Sequence, residues 1–234
     1  MEGENHTGLY LVGIIVLLIL IPAAAFGAIL PIGLLATFSA ECKILGLCHG
    51  VGEGGTSGIT GPAVDCGGAN VPEEYMPWVK EAADKYLGGD QAKLIAVIQF
   101  ESGFNRWAIS YGGAVGLGQF IASSARTKQA FQGSSIYDVE PRTGPIIPGT
   151  NVRSVTKEDA EIFRKTHPDD GRFDPERSLK AAAELLYYGL QRAGGDFRRA
   201  YAESYNGEAG NKKYENADKM MVIYNQLIQS GKCK

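Results

Sequence analysis

Glu101 combines a reactive side chain with a position where its negative charge is disfavoured. It follows Leu94, Val97 and Ile98 at helical spacing, so its carboxyl group projects from the apolar face of a predicted helix. It also lies in the last turn of that helix, where the helix dipole is negative. Because burial and the dipole both raise a carboxyl pKa, the group can stay protonated near neutral pH and donate a proton. A glutamate that faces water at a frayed helix end is the alternative for this residue taken alone.

The segment after Glu101 has the composition of a site for a neutral, polar ligand. Residues 102–137 contain no Asp or Glu, and their many glycines let the backbone approach a ligand closely. A sugar suits such a segment better than a cation does. Because most glycoside hydrolases place two carboxylates across the scissile bond, the lack of a second one near Glu101 in the sequence favours a single acid. The uncharged hydrogen-bonding side chains of the segment include Ser102, Asn105, Ser110, Tyr111 and Gln119.

Helical periodicity predicts a mostly α-helical domain around these residues, with a small Gly-rich irregular or β element at 110–118. Asp90 is a good N-cap for the helix that ends at Ser102. We assign the whole domain to residues 71–234. The other predicted helices begin near residues 71, 120, 156, 178 and 196, and the last one contains Ala217, Met221, Tyr224 and Ile228.

Three motifs of this domain resemble the catalytic domain of soluble lytic transglycosylases, which is related to goose-type lysozyme. They are IQFESGFN at 98–105, GAVGLGQF at 113–120 and AESYNGEAG at 202–210. The helix DPERSLKAAAELL at 174–186 resembles the intervening helix of that family. The resemblance covers about residues 72–210 in the same motif order, and the combination is far more specific than any single motif.

The resemblance implies a lysozyme-like helical fold and a peptidoglycan lytic transglycosylase that needs no cofactor. Glu101 matches the catalytic glutamate of the family, and Tyr205 would orient this glutamate or the N-acetyl group of the substrate. A core tyrosine at a helix end is the alternative for Tyr205, and loop-closing hydrogen bonds are the alternative for Asn105 and Gln119. The positions that match substrate-binding residues are Ser102, Asn105, Gln119, Tyr205 and Asn206.

By the same resemblance, the substrate is the β-1,4 bond between MurNAc and GlcNAc in peptidoglycan glycan strands. Glu101 would protonate the bridging oxygen and then deprotonate the muramoyl C6 hydroxyl, which attacks C1 to form 1,6-anhydroMurNAc. One alternative is a hydrolase of peptidoglycan or chitin, in which Asp138, Glu140 or another acid of the insertion acts as base. The other alternative is an inactive glycan-binding module of the cell envelope.

Two departures from the family pattern concern the edges of the site. Residues 126–175 form an insertion that is longer than in compact members and contains no matching motif. Glu208 and a second glycine after it stand where Ala-Gly-Pro is commoner. The resemblance therefore does not define the contribution of the insertion or the exit-side subsites.

The N-terminal part of the chain predicts a membrane anchor. Residues 7–40 contain no charged residue, and roughly 20 apolar residues cross a bilayer. We expect a short tail at 1–8, a transmembrane anchor with an apolar flank at 9–40, and a Gly-rich tether at 41–70. A cleaved secretory signal is the alternative, although the leader MEGENH is acidic and the apolar stretch is long for a signal.

The expected location of the protein follows from its expected substrate. Peptidoglycan lies outside the cytoplasmic membrane, so we expect a single-pass protein of the bacterial cytoplasmic membrane with an extracytoplasmic domain. Small anchored transglycosylases often open the wall for a secretion or conjugation apparatus, which is a candidate partner by analogy.

Charge and cysteine positions exclude other classes. The chain has 26 acidic and 23 basic residues and a net charge of −3, which argues against a nucleic-acid partner. Its four cysteines and three histidines lack metal-ligand spacing, so we expect no metal. In an oxidising envelope Cys66 and Cys233, at the two ends of the domain, could form a disulfide, and Cys42 could pair with Cys48. Free thiols are the alternative.

Overall fold

The computed structural model describes residues 61–148 and 151–233. The predicted N-terminal tail, the anchor, Cys42 and Cys48, and the tether up to residue 60 lie outside the described residues. Within the described ranges, no helix is long and apolar enough to span a bilayer. The membrane anchor stays a prediction from the sequence.

The described residues are mostly helical, as the sequence predicted. An antiparallel hairpin comes first, formed by β1 (Ala63–Asp65) and β2 (Asn70–Pro72). The helices are α1 (Met76–Tyr86), α2 (Gln91–Ser102), α3 (Ala122–Ala125), α4 (Lys157–Thr166), α5 (Pro175–Arg192), α6 (Phe197–Ala200) and α7 (Lys212–Ser230). Short 3₁₀ turns lie at Glu73–Tyr75, Gln129–Phe131 and Gly171–Phe173, and a π-helical turn, Tyr201–Tyr205, follows α6.

Helix α2 runs through the core and carries Glu101 next to its last residue. It packs against α1, α5 and α7, and it is buried nearly all round rather than along one stripe. The Asp90 side chain accepts the backbone N–H of Lys93 at 3.1 Å and caps its start. Gly103, with a φ of 59°, adopts the left-handed conformation that ends it. Both ends of this helix agree with the sequence prediction.

The hairpin at the start of the domain is bonded to the C-terminal end of the domain. Its register places Val64 opposite Val71, and its turn carries Cys66. A disulfide joins Cys66 to Cys233, with the two Cα atoms 5.2 Å apart. The Ser230 hydroxyl at the end of α7 also donates to the Cys66 carbonyl oxygen at 2.8 Å. The folded domain therefore includes residues before Val71, although the sequence predicted its start at Val71.

Helix α5 begins earlier than Ser178, where periodicity placed its start. Asp174 caps it by accepting a backbone N–H, and Pro175 occupies the first helical position, where a missing N–H costs nothing. The next segment, predicted as one helix from Asp196 to Tyr205, is divided between α6 and the π-helical turn. Both α6 and this turn pack against α5.

The insertion at 126–175 is joined to the segment that follows Glu101. Arg172 is fully buried, and its guanidinium pairs with the equally buried carboxylate of Asp170 at 2.7 Å. The same guanidinium donates to the carbonyl oxygen of Phe120 at 3.0 Å. Removing either partner of a buried ion pair leaves an uncompensated charge. Arg172 and Asp170 therefore depend on each other.

Candidate active site

Glu101 lies at the edge of the core. The residue keeps partial contact with solvent, while protein atoms surround its carboxyl group. This burial raises the pKa of Glu101 from the ordinary 4.5 to about 7, and a hydrogen bond from Tyr201 opposes part of the rise. Near neutral pH both the acid and the carboxylate are populated, so the group can give up a proton and take one back.

Tyr201 holds the carboxyl group of Glu101. Its hydroxyl donates to Glu101 Oε1 at 2.6 Å. The Tyr201 ring is buried, and the Phe100 ring meets it edge-on with centroids 5.9 Å apart. Burial and the neighbouring Glu101 raise the pKa of Tyr201 well above its ordinary value, so the hydroxyl remains a donor. Tyr201 lies outside the sequence motifs, and its one local signal is its position four residues before Tyr205.

The π-helical turn brings Tyr201 and Tyr205 together. The backbone N–H of Asn206 donates to the Tyr201 carbonyl oxygen at 2.9 Å, which is the spacing of a π-helix. The two tyrosine rings stack with centroids 5.7 Å apart and an interplanar angle of 17°. Single π-helical turns are frequent at functional sites. Here the turn directs one tyrosine to the acid and the other to the glycine-rich loop.

Tyr205, which is predicted to orient Glu101 or the N-acetyl group of the substrate, bonds to the glycine-rich loop. Its hydroxyl donates to the Gly118 carbonyl oxygen at 2.9 Å. Burial, with a smaller contribution from Glu101, raises the pKa of Tyr205 well above its ordinary value, so this hydroxyl also stays protonated. A Cβ at Gly118 would lie 2.9 Å from the Tyr205 hydroxyl and would overlap the Phe120 ring. Only glycine fits this close approach.

The loop at 113–120 is closed by isolated β-bridges. Val115 bridges both Ile109 and Phe120, so the Gly-rich segment contains a minimal β element within irregular chain. Gly116 has a φ of 81°, and a Cβ there would overlap the Arg172 carbonyl oxygen. The end of the insertion, at Arg172, therefore packs directly against the loop.

Gln119 and Asn206 each combine hydrogen-bonded side-chain atoms with an unpaired one. The Gln119 amide nitrogen donates to the carbonyl oxygens of Gly116 at 2.8 Å and Ala108 at 3.3 Å, and the Asn206 Oδ1 accepts the Glu208 N–H at 2.9 Å. Among the described residues, Gln119 Oε1 and Asn206 Nδ2 are buried atoms without a hydrogen-bond partner. Because such an atom is costly to leave unpaired, both are candidate contacts for a polar ligand.

The side chains of Ser102 and Asn105 form hydrogen bonds with backbone groups close to Glu101 in the sequence. The buried Ser102 hydroxyl donates to the Ile98 carbonyl oxygen at 3.2 Å. The Asn105 side-chain oxygen accepts the Trp107 N–H at 3.0 Å. Asn105 thus makes a loop-closing hydrogen bond, the role given above as the alternative to substrate binding. Gln119 combines such hydrogen bonds with an unpaired acceptor.

Two aromatic residues after Glu101, Trp107 and Tyr111, differ in their surroundings: Trp107 packs against a ring of the insertion, and Tyr111 is exposed. The Trp107 ring lies 4.8 Å from that of Phe173, next to a small cluster with Val115. Tyr111 is 43% exposed, and its hydroxyl is 3.4 Å from Glu208 Oε1. Tyr111 is therefore the more exposed of these two aromatic side chains.

Two acids of the insertion, Asp138 and Asp159, are engaged by other partners. Asp138 pairs with Arg126 at 2.6 Å, and this bond lowers the pKa of the Asp138 carboxyl group. Asp159 caps α4 and accepts the Arg142 N–H at 3.1 Å. Within residues 61–148 and 151–233, no group of three or more His, Cys, Asp or Glu side chains could hold a metal ion.

Comparison with known proteins places the segment around Glu101 in one family. Residues 78–152 match the family described as Transglycosylase SLT domain. The match includes most of α1, all of α2 and the glycine-rich loop at 113–120. It ends before Tyr201 and Tyr205, so the roles of these two residues rest on their contacts.

Three curated relatives share the name membrane-bound lytic murein transglycosylase C. The protein of Actinobacillus succinogenes is 37% identical over 71 residues, which are 30% of this chain and 18% of the relative. That of Haemophilus influenzae strain PittEE is 40% identical over 52 residues, 22% of this chain and 14% of the relative. That of Cronobacter sakazakii is 32% identical over 83 residues, 36% of this chain and 22% of the relative.

The chain thus matches less than a quarter of the length of these relatives. No solved structure matches the chain significantly. The segment that carries Glu101, residues 78–152, is thus similar to the transglycosylase SLT domain.

Proposed function

We propose that this protein is a peptidoglycan lytic transglycosylase in which Glu101 is the single catalytic acid and base. The observation behind the proposal is the carboxyl group of Glu101, which protein atoms surround and whose pKa is about 7. The unpaired polar atoms of Gln119 and Asn206 add to it. A group of this pKa exists in both protonation states at neutral pH, as an acid that later acts as a base requires. The match of residues 78–152 to the SLT domain supports a lysozyme-like arrangement of the helices.

The reaction has two proton transfers at one carboxyl group. Protonated Glu101 gives its proton to the oxygen between MurNAc and GlcNAc while the bond from that oxygen to C1 breaks. The carboxylate then takes the proton of the C6 hydroxyl of the same MurNAc, and the C6 oxygen forms a bond to C1. The products are a 1,6-anhydroMurNAc end and a GlcNAc with a free 4-hydroxyl. Glu101 is protonated again, and no water is consumed.

The contacts of Glu101 suit these steps. The Tyr201 hydroxyl occupies Oε1, which leaves Oε2 to carry the transferred proton. The same hydrogen bond stabilises the carboxylate between the two transfers. Gln119 Oε1 can accept the N–H of an N-acetyl group, and Asn206 Nδ2 can donate to a sugar or acetyl oxygen. Ser102 and Asn105 shape the turn that follows the acid.

The contacts of Asp138, Asp159 and Asp170 argue against a hydrolase in which one of these three acids is the base. A hydrolytic base must hold a water opposite the acid, as a second carboxylate does in most glycoside hydrolases. Asp138 is bound to Arg126, Asp159 caps α4, and Asp170 is buried with Arg172. A module that only binds glycan has no need of an acid whose pKa is raised by burial.

The proposed location follows from the substrate. We place the domain outside the bacterial cytoplasmic membrane, held by the apolar segment at 9–40, where the wall is within reach. The relatives are named membrane-bound, which supports association with the envelope. Local opening of the wall for a secretion or conjugation apparatus is the role we propose by analogy.

Product analysis tests the activity. The full-length protein, incubated with purified peptidoglycan, should release muropeptides with 1,6-anhydroMurNAc ends that mass spectrometry detects. Glu101→Gln should keep the fold and lose activity by ~10²-fold or more, because the transferred proton is gone. Products with reducing MurNAc ends would show a hydrolase, and activity of the variant within a few-fold of the wild type would refute the assignment of Glu101.

Topology is tested separately. Protease added to spheroplasts should digest the domain while a cytoplasmic marker stays intact. Full protection of the domain would contradict the proposed orientation.

A further inference from the structure

We propose that Ser178, a buried serine of α5, is a positioning residue that acts on Glu101 through a chain of hydrogen bonds and one ring contact. The sequence motifs do not mark it as part of the site. Its catalytic consequence rests on the proposed function, whereas its structural effect on Glu101 can be measured without enzyme activity.

The first link joins α5 to the glycine-rich loop. Ser178 is fully buried, and its hydroxyl oxygen accepts the Gly118 N–H at 3.1 Å across 60 residues of sequence. The Ser178 N–H donates to the Asp174 carbonyl oxygen at 3.0 Å, within the capped first turn of α5. The acceptor for Gly118 is therefore held by a buried, well-anchored helix.

The second link passes through Gly118. Its N–H is bound by Ser178, and its carbonyl oxygen is bound by the Tyr205 hydroxyl at 2.9 Å. A glycine has no side chain to restrict its backbone, so these two hydrogen bonds contribute strongly to where the residue lies. Loss of the first bond leaves a buried N–H without a partner and favours a shift of the loop.

The third link reaches the acid. The Tyr205 ring stacks on the Tyr201 ring, with centroids 5.7 Å apart, and the Tyr201 hydroxyl donates to Glu101. Because the interior is close-packed, a displaced Tyr205 hydroxyl disturbs the ring stacked against it. Ser178 therefore governs the hydrogen bond that orients the Glu101 carboxyl group.

Ser178 also allows a cleaner test than Arg172, which supports the same loop. Replacing Arg172 would leave the buried Asp170 carboxylate unpaired and threaten the whole fold. Ser178→Ala removes one hydroxyl from a helical position where alanine is favourable. The variant is expected to fold.

The measurable effect is a change in the pKa of Glu101. Burial raises this pKa, the Tyr201 bond lowers it, and Tyr205 is the other titratable group coupled to Glu101. A weaker Tyr201 bond after Ser178→Ala therefore raises the pKa of Glu101 further above about 7. A purely structural loss of stability would leave the pKa of the folded protein unchanged.

The experiment is an NMR titration of the ¹³C-labelled Glu101 carboxyl group, assigned with Glu101→Gln, in the full-length protein in detergent micelles. Ser178→Ala and Tyr205→Phe should each raise the pKa of Glu101, and the double variant should add little to either. Ser178→Thr keeps the acceptor oxygen and should restore the wild-type value. Ser134→Ala is the matched control, because it removes a serine hydroxyl bond to the Phe131 carbonyl oxygen at 2.7 Å.

An unchanged pKa of Glu101 in folded Ser178→Ala would overturn the inference. If that variant does not fold, an unchanged pKa in Tyr205→Phe overturns it, because Tyr205→Phe breaks the second link without touching α5. In the peptidoglycan assay, Ser178→Ala should lower kcat on the order of ten-fold with little change in KM. If the wild type releases no anhydro product, the proposed function fails while the titration still decides the role of Ser178.

Discussion

The hydroxyl group of Tyr201 donates a hydrogen bond to Glu101 Oε1 over 2.6 Å, although the two residues are 100 positions apart in the sequence. Tyr205, which the Tyr-Asn-Gly motif singles out, bonds to Gly118 instead. The acid of the candidate site is thus held directly by a tyrosine outside the matched motifs, and the neighbouring motif tyrosine supports it indirectly.

Tyr201→Phe is expected to lower kcat and to raise the pKa of Glu101. The variant removes the hydrogen bond that stabilises the carboxylate, whereas burial of the acid remains. Loss of one hydrogen bond to a charged group predicts a decrease of about ten-fold or more in kcat/KM. The measurement is the pH profile of peptidoglycan cleavage, whose alkaline limb should move to higher pH.

Tyr214→Phe is the matched control for this prediction. The Tyr214 hydroxyl also donates to a glutamate, Glu203, at 2.8 Å, but at an exposed position away from the acid. The control should keep the wild-type profile. A Tyr201→Phe profile that coincides with that of the control would contradict the role of Tyr201.

The pKa of Glu101 also predicts how cleavage depends on pH. The first step needs protonated Glu101, and its pKa is raised to about 7. The rate should therefore fall as the pH rises through about 7, under conditions in which the fold is intact by circular dichroism. A rate that stays constant from pH 6 to ~9 would exclude Glu101 as the proton donor.

Glu101→Gln is expected to stabilise the fold at pH 8 and to have little effect on stability at pH 4. The folded pKa of Glu101 is about 7 against an ordinary 4.5, so the unfolded chain loses this proton first as the pH rises. The carboxyl group is therefore neutral in both states below about 4.5, and its destabilising effect grows up to about 7. The difference between these values corresponds to about 3 kcal/mol at ~1.4 kcal/mol per pH unit.

Thermal unfolding of wild type and Glu101→Gln at a series of pH values measures this effect. The Tm difference should open between the two pKa values and then level off. A difference that is the same at both extremes would mean that the change comes from packing rather than from the buried charge.

Gly118→Ala should disrupt the site through the space it takes. The added Cβ would overlap the Phe120 ring and press on the Tyr205 hydroxyl. We expect a fall in kcat larger than that of Gly112→Ala, a control just before this loop. An added Cβ at Gly112 meets only the Ser110 hydroxyl at an ordinary 3.8 Å. Equal activity of the two variants would show that the loop tolerates displacement at Gly118.

The Cys66–Cys233 disulfide should make a large contribution to stability. It joins residues 167 positions apart, and the chain-entropy estimate for so long a loop is roughly 5 kcal/mol. The double variant Cys66→Ala/Cys233→Ala should unfold at a lower temperature than the oxidised wild type. Peptide mapping without reductant should recover the crosslinked peptide, whereas ready alkylation of both thiols in the native, oxidised protein would disprove the bridge.

Local information in the sequence determined much of this protein. The N-cap at Asp90, the left-handed glycine at 103 and the apolar residues between them specify α2, because capping and periodicity act over a few residues. That helix by itself places Glu101 beside the core, and its raised pKa could be expected from the same spacing. The motif also marked Gly116, although it did not reveal the contact with the Arg172 carbonyl oxygen that requires a glycine there.

Only the tertiary structure decided which groups meet this acid. Tyr201 rather than Tyr205 reaches Glu101 because a π-helical turn redirects both rings, and no local pattern distinguishes that turn from an ordinary helix end. The contact of Ser178 with Gly118 spans 60 residues, and the disulfide spans 167. Such contacts depend on how separate elements pack, and packing is set by the shape of the whole core rather than by the spacing of residues along one segment.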